Sequence, residues 1–273
     1  MTTTVEYAPK AIRPLLLATV VPVVSFGIII SAVLLLALGL LGLVLGIVGT
    51  AIAAVVRVRR LRIGLEAEVL ARISAEPVSG PFEARLTNLA EGLAAQRGVP
   101  VPALRIVDDP AANMLVVGMT PEQSALVVTT GLLMALDRIE LEAIVGRGIA
   151  EIRQGDLPAG TLAVRSVGRP STSLDGGGFG ALLARPFSGL IAAGAAYVTD
   201  ADRDLLLDQA GVALTRYPPG LVSALEACER VGTALTRPDP TIDHLWMAAT
   251  GAEGRAVADR PSLHLRIEAL RLL

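Results

Sequence analysis

From Pro14 to Val56 the chain runs for 43 residues without a charged side chain, in a stretch dominated by Leu, Val, Ile, Ala and Gly. As one helix this run would reach about 64 Å at roughly 1.5 Å per residue, twice the roughly 30 Å of a bilayer's hydrocarbon core. Two helices of about 20 residues joined by a tight turn fit that thickness. The turn is expected within residues 37–46, where Gly39, Gly42 and Gly46 supply backbone freedom. A secretory signal has a shorter apolar core closed by a small-residue cleavage site, so the run reads as a transmembrane hairpin.

Beyond the hairpin the pattern turns amphipathic. Residues 57–77 predict a helix leading away from the membrane. Residues 79–100 predict another, with Phe82, Leu86, Leu89 and Leu93 at helical spacing and Gly98 and Pro100 as its stop. Three short Val- and Ile-rich runs, 104–107, 113–119 and 124–130, are divided by turn residues and predict a small sheet. Residues 131–156 return to a helical period. Leu141, Ile144, Val145, Gly148, Ile149 and Ile152 form one apolar stripe, with Glu140, Arg147 and Glu151 on its flank. Gly146 and Gly148 each cost about 1 kcal/mol relative to Ala inside a helix, so packing must compensate.

Residues 157–178 are expected to form a loop. The apolar segment 179–198, interrupted by Arg185 and Pro186, suits a buried or membrane-resting helix better than a third span. A helix over 199–220 opens on Thr199-x-x-Asp202, like a capping box, and closes at Pro218, Pro219 and Gly220. Two further helices, "GLVSALEACERVG" and "PSLHLRIEALRLL", follow.

Composition and charge place these elements. The chain is 52% hydrophobic and only 18% charged, an excess concentrated in the hairpin. Lys10 and Arg13 precede the hairpin, and Arg57, Arg59, Arg60 and Arg62 follow it. A hairpin puts both flanks on one side, and the positive-inside tendency makes that side the cytoplasm. The basic cluster suits lipid headgroups, and a formal net charge of -2 gives no reason to expect nucleic acid. The single cysteine, Cys228, cannot form an internal disulfide, in keeping with a cytoplasmic domain. A transporter or channel is disfavoured, because the two spans carry no intramembrane charge. The expected organisation is a cytoplasmic N-terminus (1–13), the transmembrane hairpin (14–56), a juxtamembrane helical linker (57–78) and one further domain (79–273).

The further domain carries a likeness. The strings "RLTNLAEGLAAQRGVPVPALRIVDD", "AANMLVVGM", "ALVVTTGLLMALDRIELEAIV", "IRQGD", "DRDLLLDQAGVALTRYPPGLVSALE", "DHLWM" and "LRIEALRLL" occur in this order and cover most of residues 82–273. On them the chain resembles the HtpX-type membrane-anchored zinc metallopeptidases. The resemblance makes residues 79–273 a degenerate peptidase-like domain and implies an α+β, mainly helical, gluzincin-like metallopeptidase fold with a small β-sheet, preceded by the transmembrane hairpin. It also implies a multi-pass protein of the bacterial plasma membrane whose main domain faces the cytoplasm.

The family's chemistry rests on His-Glu-x-x-His, in which two His one turn apart bind zinc and the Glu is general base. A Glu in a later Glu-x-x-x-Asp supplies the third ligand. Carried onto this chain, the first His position is Arg147, the general-base position is Gly148 and the second His position is Glu151. The third-ligand position is Asp204, with Asp208 as the following Asp, and a family His-Pro reads Arg260-Pro261. No catalytic group of the pattern is intact. Guanidinium offers no lone pair to a metal, Gly148 cannot take a proton, and Glu151 with Asp204 beside an Arg make a poor zinc site. His244 and His264 lie outside the motif and read as packing or surface residues.

The resulting expectation is a pseudopeptidase without zinc that binds, scaffolds or regulates in membrane protein quality control. Its partners would be the lipid bilayer and either membrane proteins or extended polypeptides. The alternative is an active metalloendopeptidase with an atypical metal site at Glu151/Asp204. Arg147, Glu151 and Asp204 are expected to form a salt-bridge cluster joining the two helices that zinc joins in active relatives. The bland alternative is a solvated Arg147–Glu151 pair worth about 0.2–0.5 kcal/mol. Asn113, Met114, Leu115 and Val116 are a candidate edge strand for an extended peptide, against the alternative of ordinary core.

Overall fold

A computed structural model of the chain describes residues 8–154, 157–166, 201–251 and 260–273. The apolar segment 179–198, Thr199 and the expected loop beyond residue 166 lie outside the described residues. Helices α1 (Ala8–Leu38) and α2 (Leu40–Arg62) fold back on each other at Gly39, whose φ of 63° belongs to the left-handed region that glycine tolerates. Val20–Leu38 and Leu40–Arg60 are each long and apolar enough to cross a membrane. Small residues set their contact: a Cβ on Gly27 would strike Thr50, and one on Gly46 would strike Ser31.

The chain leaves α2 through extended Ile63 and left-handed Gly64 and enters α3 (Leu65–Arg72), so the helix expected over 57–77 is two pieces. A 3-10 turn over Gly80–Phe82 leads into α4 (Glu83–Arg97), which Gly98 ends with a φ of 65°.

The sheet has four strands, β1 (Glu76–Pro77), β2 (Ala103–Val107), β3 (Met114–Thr120) and β4 (Gln123–Thr129), in the order β1-β2-β4-β3. β2 and β4 run parallel, while β1 and β3 pair antiparallel to their neighbours. Two-residue β1 is too short to show any period, which is why the sequence does not announce it. Both faces of β3 and β4 are covered. Met114, Val116, Leu126 and Val128 share a core with Leu86 and Leu89 of α4 and with Leu141, Ile144 and Ile149. Leu115, Val117 and Val127 pack with Val69, Val164, Leu245 and Trp246. Double-sided burial explains the unbroken apolar run at 113–119.

The long helix expected over 131–156 is divided into α5 (Thr130–Ala135) and α6 (Arg138–Arg153). The cause is Asp137, whose carboxylate accepts from Glu140 N at 2.8 Å while Glu140 accepts from Asp137 N at 2.8 Å, a complete capping box. Residues 157–166, expected as loop, are helix α7 (Leu157–Ser166), with Leu157, Leu162 and Val164 buried. Pro158 stands in the helix's first turn, where its missing N–H costs no hydrogen bond. α7 packs between β3 and α1, tying the domain to the hairpin. Helices α8 (Ala201–Thr215), α9 (Pro218–Val231) and α10 (Leu263–Arg271) complete the described residues, with α8 against α6 and α10 against α9.

Candidate functional site

α6 and α8 approach backbone to backbone. A Cβ at Gly211 would sit 2.9 Å from Arg147 Cα, and one at Gly146 would sit 2.9 Å from Thr215 Cγ2. This contact offsets the poor helix propensity of Gly146. Gly148 faces the opposite way, toward the sheet, where a Cβ would lie 2.7 Å from Leu126 Cδ1 and 3.3 Å from Met114 Sδ. The position that carries a general base in the motif is therefore closed over by core side chains.

At this crossing Arg147 is 2% exposed, with its guanidinium between two carboxylates one turn apart on α8. Its Nε donates to Asp208 Oδ1 at 2.9 Å and its Nη2 to Asp204 Oδ1 at 3.0 Å. Glu151, one turn along α6, is an ion-pair partner at 3.6 Å and accepts at 2.7 Å from Arg203 Nη2. Two more arginines close the far side. Arg266 of α10 grips Asp208 with Nε and Nη2, both at 2.7 Å, and Arg260 donates from Nε to Asp204 Oδ2 at 3.0 Å. Forked guanidinium-carboxylate geometry of this kind is the strong form of the charged hydrogen bond.

Electrostatics follow from burial and this company. Burial alone would raise the Asp204 carboxyl, but Arg260, Arg266, Arg147 and Arg203 overcome it and hold the group well below the usual carboxylate range. His244 is buried beside the cluster with Nε2 2.9 Å from Gly160 O. Burial lowers its pKa to about 4, the Gly160 carbonyl opposes this, and Arg203 and Arg260 add to it, so the ring is neutral at pH 7. Burial pushes the Cys228 thiol up to about 12, which removes it as a nucleophile at neutral pH. His264 is exposed on α10.

The structure thus brings Arg147, Glu151 and Asp204 together, but with a different centre from the one expected. Arg147 makes its hydrogen bonds to Asp204 and Asp208, while Glu151 accepts from Arg203. The Arg147–Glu151 pair is not solvated, at 2% and 4% side-chain exposure. Glu140 is separate from it, capping α6 and hydrogen-bonded to the Ser223 hydroxyl. Asp208, Arg203, Arg260 and Arg266 were missing from the expected cluster. Asp204-x-x-x-Asp208, a matched acidic pair on one helix face, was the signal in the sequence; Arg266 gave none. Glu151 and Asp204, named above as an atypical metal pair, each face guanidinium groups.

The candidate peptide edge has features of both readings given for it. β3 is an edge strand of the sheet, but Asn113, Met114, Leu115 and Val116 are buried rather than open. Met247 N donates to Met114 O at 2.6 Å, Leu115 forms a bridge with Trp246, and Asn113 Nδ2 donates to Ala248 O at 2.9 Å. Backbone groups at a buried edge must find partners, and here another stretch of the same chain supplies them.

No family model matches the chain. It is 29% identical over 209 residues to a protease HtpX homolog of Dictyoglomus turgidum, covering 69% of each chain. It is 28% identical over 218 residues to that of Dictyoglomus thermophilum, covering 72% of each. Identity is 30% over 192 residues to that of Tropheryma whipplei, covering 64% of this chain and 66% of the relative. Among solved structures, the crystal structure of S. mikatae Ste24p aligns with a TM-score of 0.43 at 14% identity, covering 81% of this chain and 57% of that one. Two apolar helices joined to a helical domain on a small sheet, with these relatives, define a membrane protein of peptidase-like kind. The chain belongs to the HtpX-type family of membrane-anchored metallopeptidases.

The family brings zinc with it, and the residues at this place do not fit that ion. Zinc needs lone pairs at about 2.0–2.3 Å from nitrogen, sulfur or oxygen. Arg147 has none to give, and the carboxylates of Asp204 and Glu151 are turned to cations already in place. Among the described residues, no group of three His, Cys, Asp or Glu side chains could hold a metal ion.

Proposed function

We propose that this protein is a pseudopeptidase, a membrane-anchored member of its family that binds rather than cuts. Its domain faces the cytoplasm of a bacterial cell from the plasma membrane, and it serves membrane protein quality control by scaffolding or regulating membrane proteins or extended polypeptides. The observation that carries this reading is the Arg147 guanidinium, buried between Asp204 and Asp208 where the motif would place zinc. Gly148, packed toward Leu126, supports it, because a general base has neither a side chain nor space there. The exposed Arg57, Arg59 and Arg60 at the end of α2 support the cytoplasmic orientation.

A second reading has one observation in its favour: the relatives are named proteases. On that reading a metal displaces the arginines from Glu151 and Asp204. Metal content of the purified full-length protein, measured together with turnover of casein, separates the two. The pseudopeptidase reading expects neither stoichiometric zinc nor cleavage. About one zinc per chain, or cleavage abolished by Glu151→Ala or Asp204→Ala, overturns it.

A further inference from the structure

The stretch that covers β3 is held in an unusual way. Leu245, Trp246, Met247 and Ala248 are all buried; Leu245, which ends a 3-10 turn over Asp243–Leu245, and Trp246 join the core on one face of the sheet, and Met247 joins the core on the other. On one side this stretch meets β3 and Asn113, through Met247 N to Met114 O at 2.6 Å, Ala248 N to Asn113 Oδ1 at 3.2 Å and Asn113 Nδ2 to Ala248 O at 2.9 Å. On the other side it is held by the ion cluster. Arg260 Nη2 donates to Trp246 O at 2.8 Å and to Met247 O at 3.1 Å, and Arg266 Nη1 donates to Met247 O at 2.7 Å. These are the same two arginines whose remaining N–H groups grip Asp204 and Asp208.

We propose that residues 245–248 are a strap that occupies the sheet edge where an extended polypeptide would add, and that Arg260 and Arg266 latch this strap to the buried ion cluster. The proposal deepens the polypeptide-binding reading above and rests on it: the edge is closed in this structure, and binding there requires the strap to leave. Strand addition is the natural mode for such an edge, since main-chain groups of β3 are what the strap and an incoming chain would both satisfy. Two further observations favour release. Asp243 Oδ2 and Trp246 Nε1, at the root and centre of the strap, are buried without a hydrogen-bond partner among the described residues, a desolvation cost that exposure to water would remove. A cavity of about 410 Å³ lies beside the strap, with Ala248, Ala249, Gly232, Thr233 and Arg260 in its wall, so the neighbouring space is not filled on that side.

Trp246 is the chain's single tryptophan and is 1% exposed, so intrinsic fluorescence reads the strap directly. The full chain in detergent is compared with Arg260→Gln, which removes one latch, and with Met247→Pro, which removes the strap's donor to Met114 O. Each is assayed by emission wavelength, iodide quenching, far-ultraviolet circular dichroism and binding of fluorescein-labelled casein. The parent should emit in the blue and resist quenching. Both variants should shift to the red and become quenchable with helical dichroism kept, and casein affinity should rise about tenfold as the open fraction grows. Tryptophan emission that stays blue and protected in folded variants overturns the proposal, as does an exposed tryptophan with no gain in casein binding.

Hydrogen exchange on the unmodified protein gives a test that does not depend on variants folding. The Met247 amide should exchange faster than the interior amides of α6, and faster again when casein is added. Exchange of Met247 as slow as that of α6, unchanged by casein, also overturns the strap. Neither measurement depends on zinc content or turnover, so failure here is distinguishable from failure of the pseudopeptidase reading.

Discussion

Arg147 concentrates the chemistry of this protein in one residue. A guanidinium taken out of water is costly alone, and its attraction to two carboxylates offsets that cost only because the hydrogen bonds are short and aligned. Asp204 and Asp208 keep Arg260 and Arg266 when Arg147 is removed, so truncation falls at the low end for a broken buried ion pair. Arg147→Ala is expected to destabilise the domain by about 3 kcal/mol, measured by denaturant titration in detergent. A loss of less than about half a kcal/mol would mean that the residue behaves as a surface charge and that the cluster does not hold the helices.

At the scale of elements, glycine decides how closely α6 and α8 pack, and the close packing decides that guanidinium and carboxylates can meet. In Gly211→Ala the added methyl would press on backbone atoms of Arg147, which cannot turn aside as a side-chain tip can. The expected loss is about 1–3 kcal/mol, read from the same titration. Gly92→Ala is the matched comparison: it lies in α4 with nothing within 4 Å of an added Cβ, and it should leave stability unchanged or raise it by about 0.4–1 kcal/mol. Equal effects at the two positions would show that helix propensity, and not the α6–α8 contact, governs both. The same scale accounts for two misreadings of the sequence. Asp137-x-x-Glu140 is a legible capping box inside what looked like one continuous helical period, and residues 157–166, expected as loop, form α7 with Pro158 in its first turn.

For the whole molecule the cluster and its surroundings predict a response to acid. His244 has its folded pKa depressed to about 4 from an ordinary value near 6.5, so the unfolded chain binds the extra proton first. Its contribution is fully present above pH 6.5 and is lost as pH falls toward 4. Asp204 is also depressed, so its contribution persists above the ordinary aspartate range near pH 3.9 and is lost below it. Thermal melts should therefore be flat above about pH 7, decline from pH 6.5 to 4, and decline further in stronger acid. His244→Gln should flatten the upper part alone; a parent profile already flat between pH 7 and 4 contradicts the buried neutral imidazole. Both effects bear on the junction of α6, α8 and the strap, where the buried charges meet.

The sequence alone determined the apolar helical hairpin, the three longer strands, the family and the residues that stand in the motif's register. These depend on composition and on residues within a few turns of one another, where period and capping are set locally. Only the tertiary structure decided who pairs with Arg147 and what covers β3. The partners Asp204 and Asp208 stand 57 and 61 residues away, and Met247 stands 133 residues from Met114. Which charges meet over such separations is fixed by the distance between packed helices, and no local pattern encodes that distance. An expected trio of one arginine and two acids became, among the described residues, a cluster of four arginines and three acids, because burial leaves these charges little water to turn to and favours a counter-ion within the fold.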